Sequence, residues 1–118
     1  MTIDDLREYI LAKPHTTEGI PFGPTALVFK VGGKMFGVIS LDSEDLRINL
    51  KCDPERAIDL RERYPAIRGA WHMNKTHWNS LYIDEGDLRQ DLVFELIDHS
   101  HDLVVAKMTK KLRTELGL

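Results

Sequence analysis

The feature that most constrains the fold is a pair of apolar segments joined by two glycines. Leu27, Phe29 and Val31 recur at every second position, and a second apolar segment runs from Met35 to Leu41. Between the two segments, Gly32-Gly33 supplies the positive φ angles that a tight hairpin turn requires. The pattern therefore predicts an antiparallel β-hairpin.

Further strands are predicted after this hairpin. Leu46, Ile48 and Leu50 alternate with polar residues, which is typical of a half-buried strand. Aromatic and apolar residues from Trp78 to Asp84 indicate another strand, and we expect a short one at Ala70 to His72. The sheet should therefore contain about five strands.

Two helices carry recognisable start signals. Thr2 and Asp5 have the spacing of a capping box, and a helix over Ile3 to Lys13 follows them. Asp53 before Pro54 combines an N-cap residue with a proline at the first helical position. We therefore predict a second helix directly after the third strand.

A long helix is expected near the end of the chain, with Asp87 as its N-cap. Its inner side is predicted to carry Leu88, Leu92, Leu96, Leu103 and Val104. A basic turn or short helix from Lys110 to Leu116 follows.

The order α-β-β-β-α-β-β-α predicts one α+β domain spanning residues 1–118. Grouped strands with helices able to cover one face form a two-layer sandwich, here an antiparallel sheet with its helices on one side. We expect Leu6, Ile10, Leu92 and Leu96 to be buried, and the segment from His15 to Pro24 to be a loop.

Composition and charge exclude several classes of protein. A net charge of −3 and a pI near 5.9 argue against binding of polyanions over the whole surface, so a nucleic-acid site would have to be local. The single cysteine, Cys52, excludes an intrachain disulfide and a cysteine-rich zinc site. Because we see neither a signal peptide nor an apolar run long enough for a membrane helix, we expect a cytoplasmic protein without membrane contact.

The strongest functional signal is a basic, aromatic segment. From Ala66 to Ile83 there is no acidic residue, whereas two tryptophans lie among arginine, lysine and histidine residues. Cations neutralise phosphates, and exposed aromatic rings stack on bases, so the segment favours a nucleic-acid contact. The candidate nucleic-acid-binding residues are Lys51, Arg68, Trp71, His72, Asn74, Lys75, His77 and Trp78.

Four of these residues, Asn74, Trp78 and the two histidines, also have a structural interpretation. Trp78 is able to anchor a strand in the core, Asn74 to cap a turn, and the histidines to donate to backbone carbonyls. The spacing of His72 and His77 does not match a helical metal pair, so we expect no metal site and no other cofactor. No catalytic constellation is recognisable, and we expect no enzymatic activity. Cys52 is interpreted as a packing residue.

Longer motifs resemble one protein family. The segments that carry the resemblance are Leu50–Glu55, Trp71–Asn79, Lys30–Phe36, Pro21–Pro24 and Asp98–Val104. On these segments the chain is identified as a member of the MmcQ/YjbR family. The resemblance implies a fold similar to the CyaY-like or secretion-chaperone-like arrangements and a DNA-binding function. One departure is His101, which stands where the family usually has a tyrosine.

Two functional hypotheses follow. In the first, the chain binds DNA by local electrostatic contact through the candidate residues. In the second, it is a protein-interaction or small-ligand-binding module without catalysis, which docks a partner on the free face of the sheet or near Trp71. Salt-sensitive DNA binding would favour the first hypothesis, and an exposed apolar patch the second. The oligomeric state is left open by the sequence.

Overall fold

The computed structural model describes residues 1–70 and 73–118, so Trp71 and His72 lie outside the described residues. Its elements in chain order are α1 (Ile3–Leu11), β1 (Thr16–Gly19), β2 (Ala26–Val31), β3 (Lys34–Ser40), β4 (Arg47–Lys51), α2 (Pro54–Arg63), β5 (Ile67–Gly69), β6 (Trp78–Tyr82), a 3-10 turn (Ile83–Glu85), α3 (Gln90–Ala106) and α4 (Lys110–Leu116).

The strands form one antiparallel sheet in the order β1-β2-β3-β4-β6-β5. The predicted α+β class with an antiparallel sheet is confirmed. The sheet has six described strands instead of about five, because Thr16–Gly19, which was predicted to be part of a loop, pairs with β2 as an edge strand. Glu18 of this strand accepts a hydrogen bond from Arg7 Nε of α1 at 2.9 Å.

The hairpin between β2 and β3 forms as predicted. Gly32 and Gly33 have φ angles of 55° and 80°, in the left-handed region that favours glycine. A side chain at Gly32 would also collide with its neighbours, since a Cβ there would lie 2.7 Å from Leu116 Cδ1 and 3.0 Å from Met108 Cε. The turn is therefore packed closely against the C-terminal part of the chain.

All four helices contribute to one core on one face of the sheet. Leu6 and Ile10 of α1 and Leu96 of α3 are buried, as predicted. The inner face of α3 is rotated from the predicted one: Leu92 is only partly buried, and the buried positions of this helix are Val93, Leu96, Ile97, Ser100, His101 and Val104. These positions follow the spacing of three and four residues that a single helical face requires.

The helix starts confirm two of the three predicted caps. The capping box of Thr2 and Asp5 is present, and Asp53 accepts a hydrogen bond from the backbone N–H of Arg56 at 3.1 Å. The prediction for Asp87 was wrong, because α3 begins at Gln90 after Arg89 without a side-chain cap. The Asp87 carboxylate instead accepts a 3.4 Å hydrogen bond from the backbone N–H of Ala66, which precedes β5.

Several element bounds also differ from their predictions; for example, the strand indicated from Trp78 to Asp84 ends at Tyr82. The first helix ends at Leu11 instead of Lys13. A short strand lies at Ile67–Gly69, where Ile67 pairs with Leu81 of β6, whereas the strand expected at Ala70 to His72 falls largely on Trp71 and His72, outside the described residues. Ile67 is buried in the core, so the pairing places an apolar residue under the helices.

Candidate nucleic-acid interface on the open face of the sheet

The face of the sheet opposite the helices is formed by alternate residues of each strand. In β4, Ile48 and Leu50 lie in the core, so Arg47, Asn49 and Lys51 face the other way. Their partners on β6 are Tyr82, Ser80 and Trp78, respectively, and Arg68 on β5 pairs with Ser80. We call this side of the sheet, away from the helices, the open face.

The open face is cationic. Strands β2 to β6 contain no aspartate or glutamate, and four of their basic residues lie on this face: Lys30, Arg47, Lys51 and Arg68. Lys34 pairs with the core residue Val31 and therefore lies on the helix side of the sheet. Helix α3, which packs on the opposite face, has the reverse composition: it contains no lysine or arginine, and its acidic residues are Asp91, Glu95, Asp98 and Asp102. A chain of net charge −3 thus carries a local positive surface.

Tyr82 lies beside two arginines on the open face. The Arg68 guanidinium is 4.2 Å from the centroid of the Tyr82 ring, and that of Arg47 is 5.6 Å from it. Arg68 Nη2 also donates to both carboxylate oxygens of Glu85, at 2.7 and 2.8 Å, and this hydrogen bonding raises the pKa of Arg68. Arg68 is therefore partly neutralised.

Arg47 is held differently. Its Nη2 donates to Ser40 Oγ at 3.0 Å, and within the described residues it has no carboxylate at ion-pairing distance. Sequence patterns did not single out this arginine, because it lies outside the basic, aromatic segment. The alternation of β4 places Arg47 on the same face as Lys51. That alternation is the sequence signal by which Arg47 could have been identified as a candidate.

Lys75 is separated from Arg68 by the sheet. A Cβ on Gly69 would lie 3.3 Å from Lys75 Cγ and 3.1 Å from Arg61 Nη1, so the Lys75 stem packs over the helix-facing side of β5. Arg61 Nη1 of α2 also donates to the backbone carbonyl of Lys75 at 2.9 Å. The candidate cations Lys51, Arg68 and Lys75 therefore do not converge on one point.

The chain before β6 forms a hydrogen-bonded turn. The carbonyl of Asn74 accepts from the N–H groups of His77 and Trp78, at 3.1 and 2.9 Å, and Asn74 Oδ1 accepts from the N–H of Thr76 at 2.9 Å. The carbonyl of His77 accepts from the N–H of Cys52 at 2.8 Å. Asn74 therefore shapes the turn, whereas the predicted contacts Trp71 and His72 lie outside the described residues.

The remaining aromatic candidate, Trp78, is 8% exposed. Its position in β6 places it beside Lys51 on β4, with which it pairs. A ring that is this deeply buried offers little surface for stacking on a base. Its main contribution in this structure is packing.

Cys52 is a buried member of the core. Burial raises the pKa of its thiol from an ordinary value of 9.0 to about 11. A thiol of this kind is a poor nucleophile because little thiolate is present near neutral pH. In residues 1–70 and 73–118, no group of three histidine, cysteine, aspartate or glutamate residues is arranged to hold a metal ion.

A groove of about 400 Å³ crosses the open face. Its polar lining includes Arg47, Asn49, Ser40 and one acidic residue, Asp42. Phe22 and Met73 also line it. Phe22 is 71% exposed, a large value for an aromatic side chain. Neither Phe22 nor Met73 was a candidate site residue, since each belongs to a segment without a regular pattern.

No helix in the described part of the chain has the length and apolarity to cross a bilayer.

Comparisons with known proteins identify similar chains. A family model described as YjbR matches residues 11–103. The uncharacterized protein YbdF of Escherichia coli O157:H7 is 42% identical over 95 residues, which cover 77% of this chain and 74% of that protein. The uncharacterized protein YjbR of Escherichia coli K12 is 30% identical over 113 residues, or 96% of this chain and 95% of that protein.

Two crystal structures have the same fold. A Deinococcus radiodurans protein, DR2400, superposes with a TM-score of 0.93 at 41% identity, over 99% of this chain and 88% of that one. A Pseudomonas syringae protein superposes with a TM-score of 0.76 at 27% identity, over 87% of this chain and 98% of that one. The sheet order and the helices on one side are therefore features that this chain shares with similar proteins.

Proposed function

We propose that this chain, which belongs to the YjbR family, binds nucleic acid on the open face of its sheet. One observation carries the proposal: the open-face positions of strands β2 to β6 carry four basic residues and no acidic residue. Phosphates along a nucleic-acid backbone are attracted to such a surface, while the acidic helix α3 on the other side repels them. The proposed activity is binding without catalysis.

The contacts in this proposal are electrostatic and few. Arg47 lines the groove, and Lys51 lies on the same face of β4, so both offer charge to phosphates, whereas Arg68 already shares its charge with Glu85. Because phosphate contacts carry no sequence information, little discrimination between sequences is expected. With roughly two to four phosphates neutralised, the logarithm of the affinity should fall with the logarithm of salt concentration with a slope of about −2 to −4.

The candidates of the basic, aromatic segment have different places in this proposal. Arg68 and Lys51 belong to the open face, and Trp78 supports the strand beside Lys51. Lys75 and Asn74 belong to the neighbouring turn, and the Lys75 stem lies on the helix-facing side of β5. Their contribution to binding is a separate prediction, which is treated in the Discussion.

The test is a titration of single- and double-stranded DNA at several salt concentrations. Arg47→Glu should weaken binding, because it replaces a phosphate-attracting charge by a repelling one. Arg89→Glu is the matched control: it changes the net charge equally, and the Arg89 side chain is 85% exposed beside Asp91 on the helix side. If both substitutions weaken DNA binding equally, the affinity depends on the net charge of the protein, and the open face is not the binding site. Absence of binding at low salt would refute the function.

A second candidate function is favoured by the exposed Phe22. Together with Met35 and Val38 this side chain gives the groove an apolar part, and Ile20 nearby is 54% exposed. Exposed apolar surface of this kind marks protein or ligand contacts. The test is the fluorescence of the apolar dye ANS: binding that is lost in Phe22→Ser, in a chain that binds no DNA, would favour a protein or small-ligand partner.

A further inference from the structure

A second cleft, which shares Met35 with the groove beside Phe22, opens where β3 and β4 diverge. The ladder between these strands ends at the pair Gly37 and Leu50. Beyond this pair, Ser100 Oγ of α3 donates to the carbonyl of Phe36 at 2.6 Å and accepts from the N–H of Lys51 at 2.9 Å. The inserted hydroxyl replaces the direct pairing of the two strands, so the space between them widens toward the end of α3.

This cleft has a volume of about 310 Å³ and a distinctive lining. Three lysines from separate parts of the chain contribute to it, one from the start of β3, one from the end of β4 and one from the residue after α3: Lys34, Lys51 and Lys107. Within the described residues, none of these lysines has a carboxylate within ion-pairing distance. Three like charges thus share a small space without a protein counter-ion.

The rest of the lining is apolar. Val104 and Met108 are 5% and 7% exposed, and Met35 lies beside them. The glycine turn of the hairpin holds this arrangement, since Gly32 packs directly against Met108. The cleft therefore combines a cationic rim with a floor of two methionines and a valine, and methionine adapts readily to ligands of different shape.

We propose that this lysine cleft binds a phosphate monoester with a compact apolar body. The phosphate carries up to two negative charges and three acceptor oxygens, which match several ammonium donors at once. The apolar body would lie on Met35, Val104 and Met108, where it displaces water from apolar surface. Pockets for small molecules usually start at about this volume and combine apolar walls with a few polar groups.

The electrostatics of the free protein agree with this assignment. Burial and, after it, the charge of Lys107 lower the pKa of Lys51. A bound anion would offset this repulsion, as an opposite charge favours the protonated form of lysine. The cleft shares Lys51 with the open face, but Lys107 and Met108 lie outside the strands that form that face, so the assignment is testable apart from nucleic-acid binding.

Calorimetric titration with phenyl phosphate, inorganic phosphate and phenol tests the proposal. Phenyl phosphate should bind more tightly than inorganic phosphate, and phenol should not bind. Lys107→Gln should weaken phenyl phosphate binding by about tenfold, the loss expected for one charge-assisted contact. Lys34→Gln, at a second exposed position in the cleft, should weaken phenyl phosphate binding to a similar extent.

Lys111→Gln is the control, since it removes an equal charge from the exposed surface of α4, outside the cleft. Unchanged binding in this control supports the site. The proposal is overturned if phenyl phosphate does not bind, if Lys111→Gln weakens it as much as Lys107→Gln, or if inorganic phosphate binds as tightly as the ester. DNA binding lost in Arg47→Glu and retained in Lys107→Gln would show that DNA binding and phosphate binding are independent.

Discussion

Ser100 Oγ accepts a hydrogen bond of 2.9 Å from the backbone N–H of Lys51, and thereby ties helix α3 to the strand that carries the candidate cation. The same hydroxyl donates to the carbonyl of Phe36 on the neighbouring strand. Ser100 has no exposed surface. One buried hydroxyl thus completes the hydrogen bonding of two strands that no longer pair with each other.

Ser100→Ala should therefore destabilise the protein. The substitution leaves one donor and one acceptor in the core without a partner, and such a loss costs about 1–3 kcal/mol. Urea unfolding measures the change in the free energy of unfolding. Ser43→Ala, at a partly exposed loop position, serves as the control and should stay within about 0.5 kcal/mol of the parent. Equal stability of the two variants would contradict the bridging role.

The thiol of Cys52 should be unreactive in the folded protein. The thiol is 4% exposed, and burial raises its pKa to about 11. At neutral pH a thiol reagent therefore cannot reach the sulfur, and almost none of the sulfur is in the reactive thiolate form. Labelling should become rapid only in urea. Above pH 9.0 the unfolded thiol ionises and the folded one does not, so this group makes stability fall as the pH rises toward about 11. Rapid labelling of the native protein would contradict a packing role.

His101 should make the protein less stable in mild acid. Its ring is 7% exposed, Nε2 has no hydrogen-bond partner among the described residues, and burial lowers its pKa. Below its ordinary value of 6.5, the unfolded chain binds a proton that the folded chain does not, so stability falls as the pH falls. The pKa of His99 is lowered too, again mainly by burial.

The substitution that isolates this effect is His101→Phe, which keeps an aromatic ring against Phe36. Urea unfolding at about pH 5 and about pH 7.5 should show a smaller loss of stability in the variant than in the parent. The loss of stability that remains in the variant comes from His99 and other titratable groups. If the pH dependence of stability is the same in the variant and the parent, His101 has the same pKa in the folded and the unfolded chain.

Lys75 and Arg47 should differ in their effect on DNA binding. Arg47→Glu removes a cation from the open face and should make the salt slope shallower by about one. Lys75→Glu changes a residue whose stem lies on the helix-facing side of β5, so its slope should stay close to that of the parent. If Lys75→Glu changes the salt slope more than Arg47→Glu does, the binding site lies in the basic, aromatic segment and not on the open face. Because Lys75 is exposed, its substitution should change stability by no more than about 0.5 kcal/mol.

The sequence by itself determined the local elements. Thr2 with Asp5, Gly32-Gly33, and Asp53 before Pro54 are short-range signals, and each acts through hydrogen bonds or backbone angles within a few residues. The alternation in β4 likewise fixed which of its residues share a face. These features could be predicted because nothing distant in the chain is needed to form them.

Only the tertiary structure decided which of the candidate residues meet. The order β4-β6-β5 brings Arg68 and Arg47 to the same Tyr82 ring, and the pairing of Thr16–Gly19 with β2 turns an apparent loop into an edge strand. Lys34, Lys51 and Lys107 share a cleft because Ser100 separates two strands beside the end of α3. Long-range pairing and packing of this kind leave no periodic signal in the sequence, since the partners are far apart along the chain.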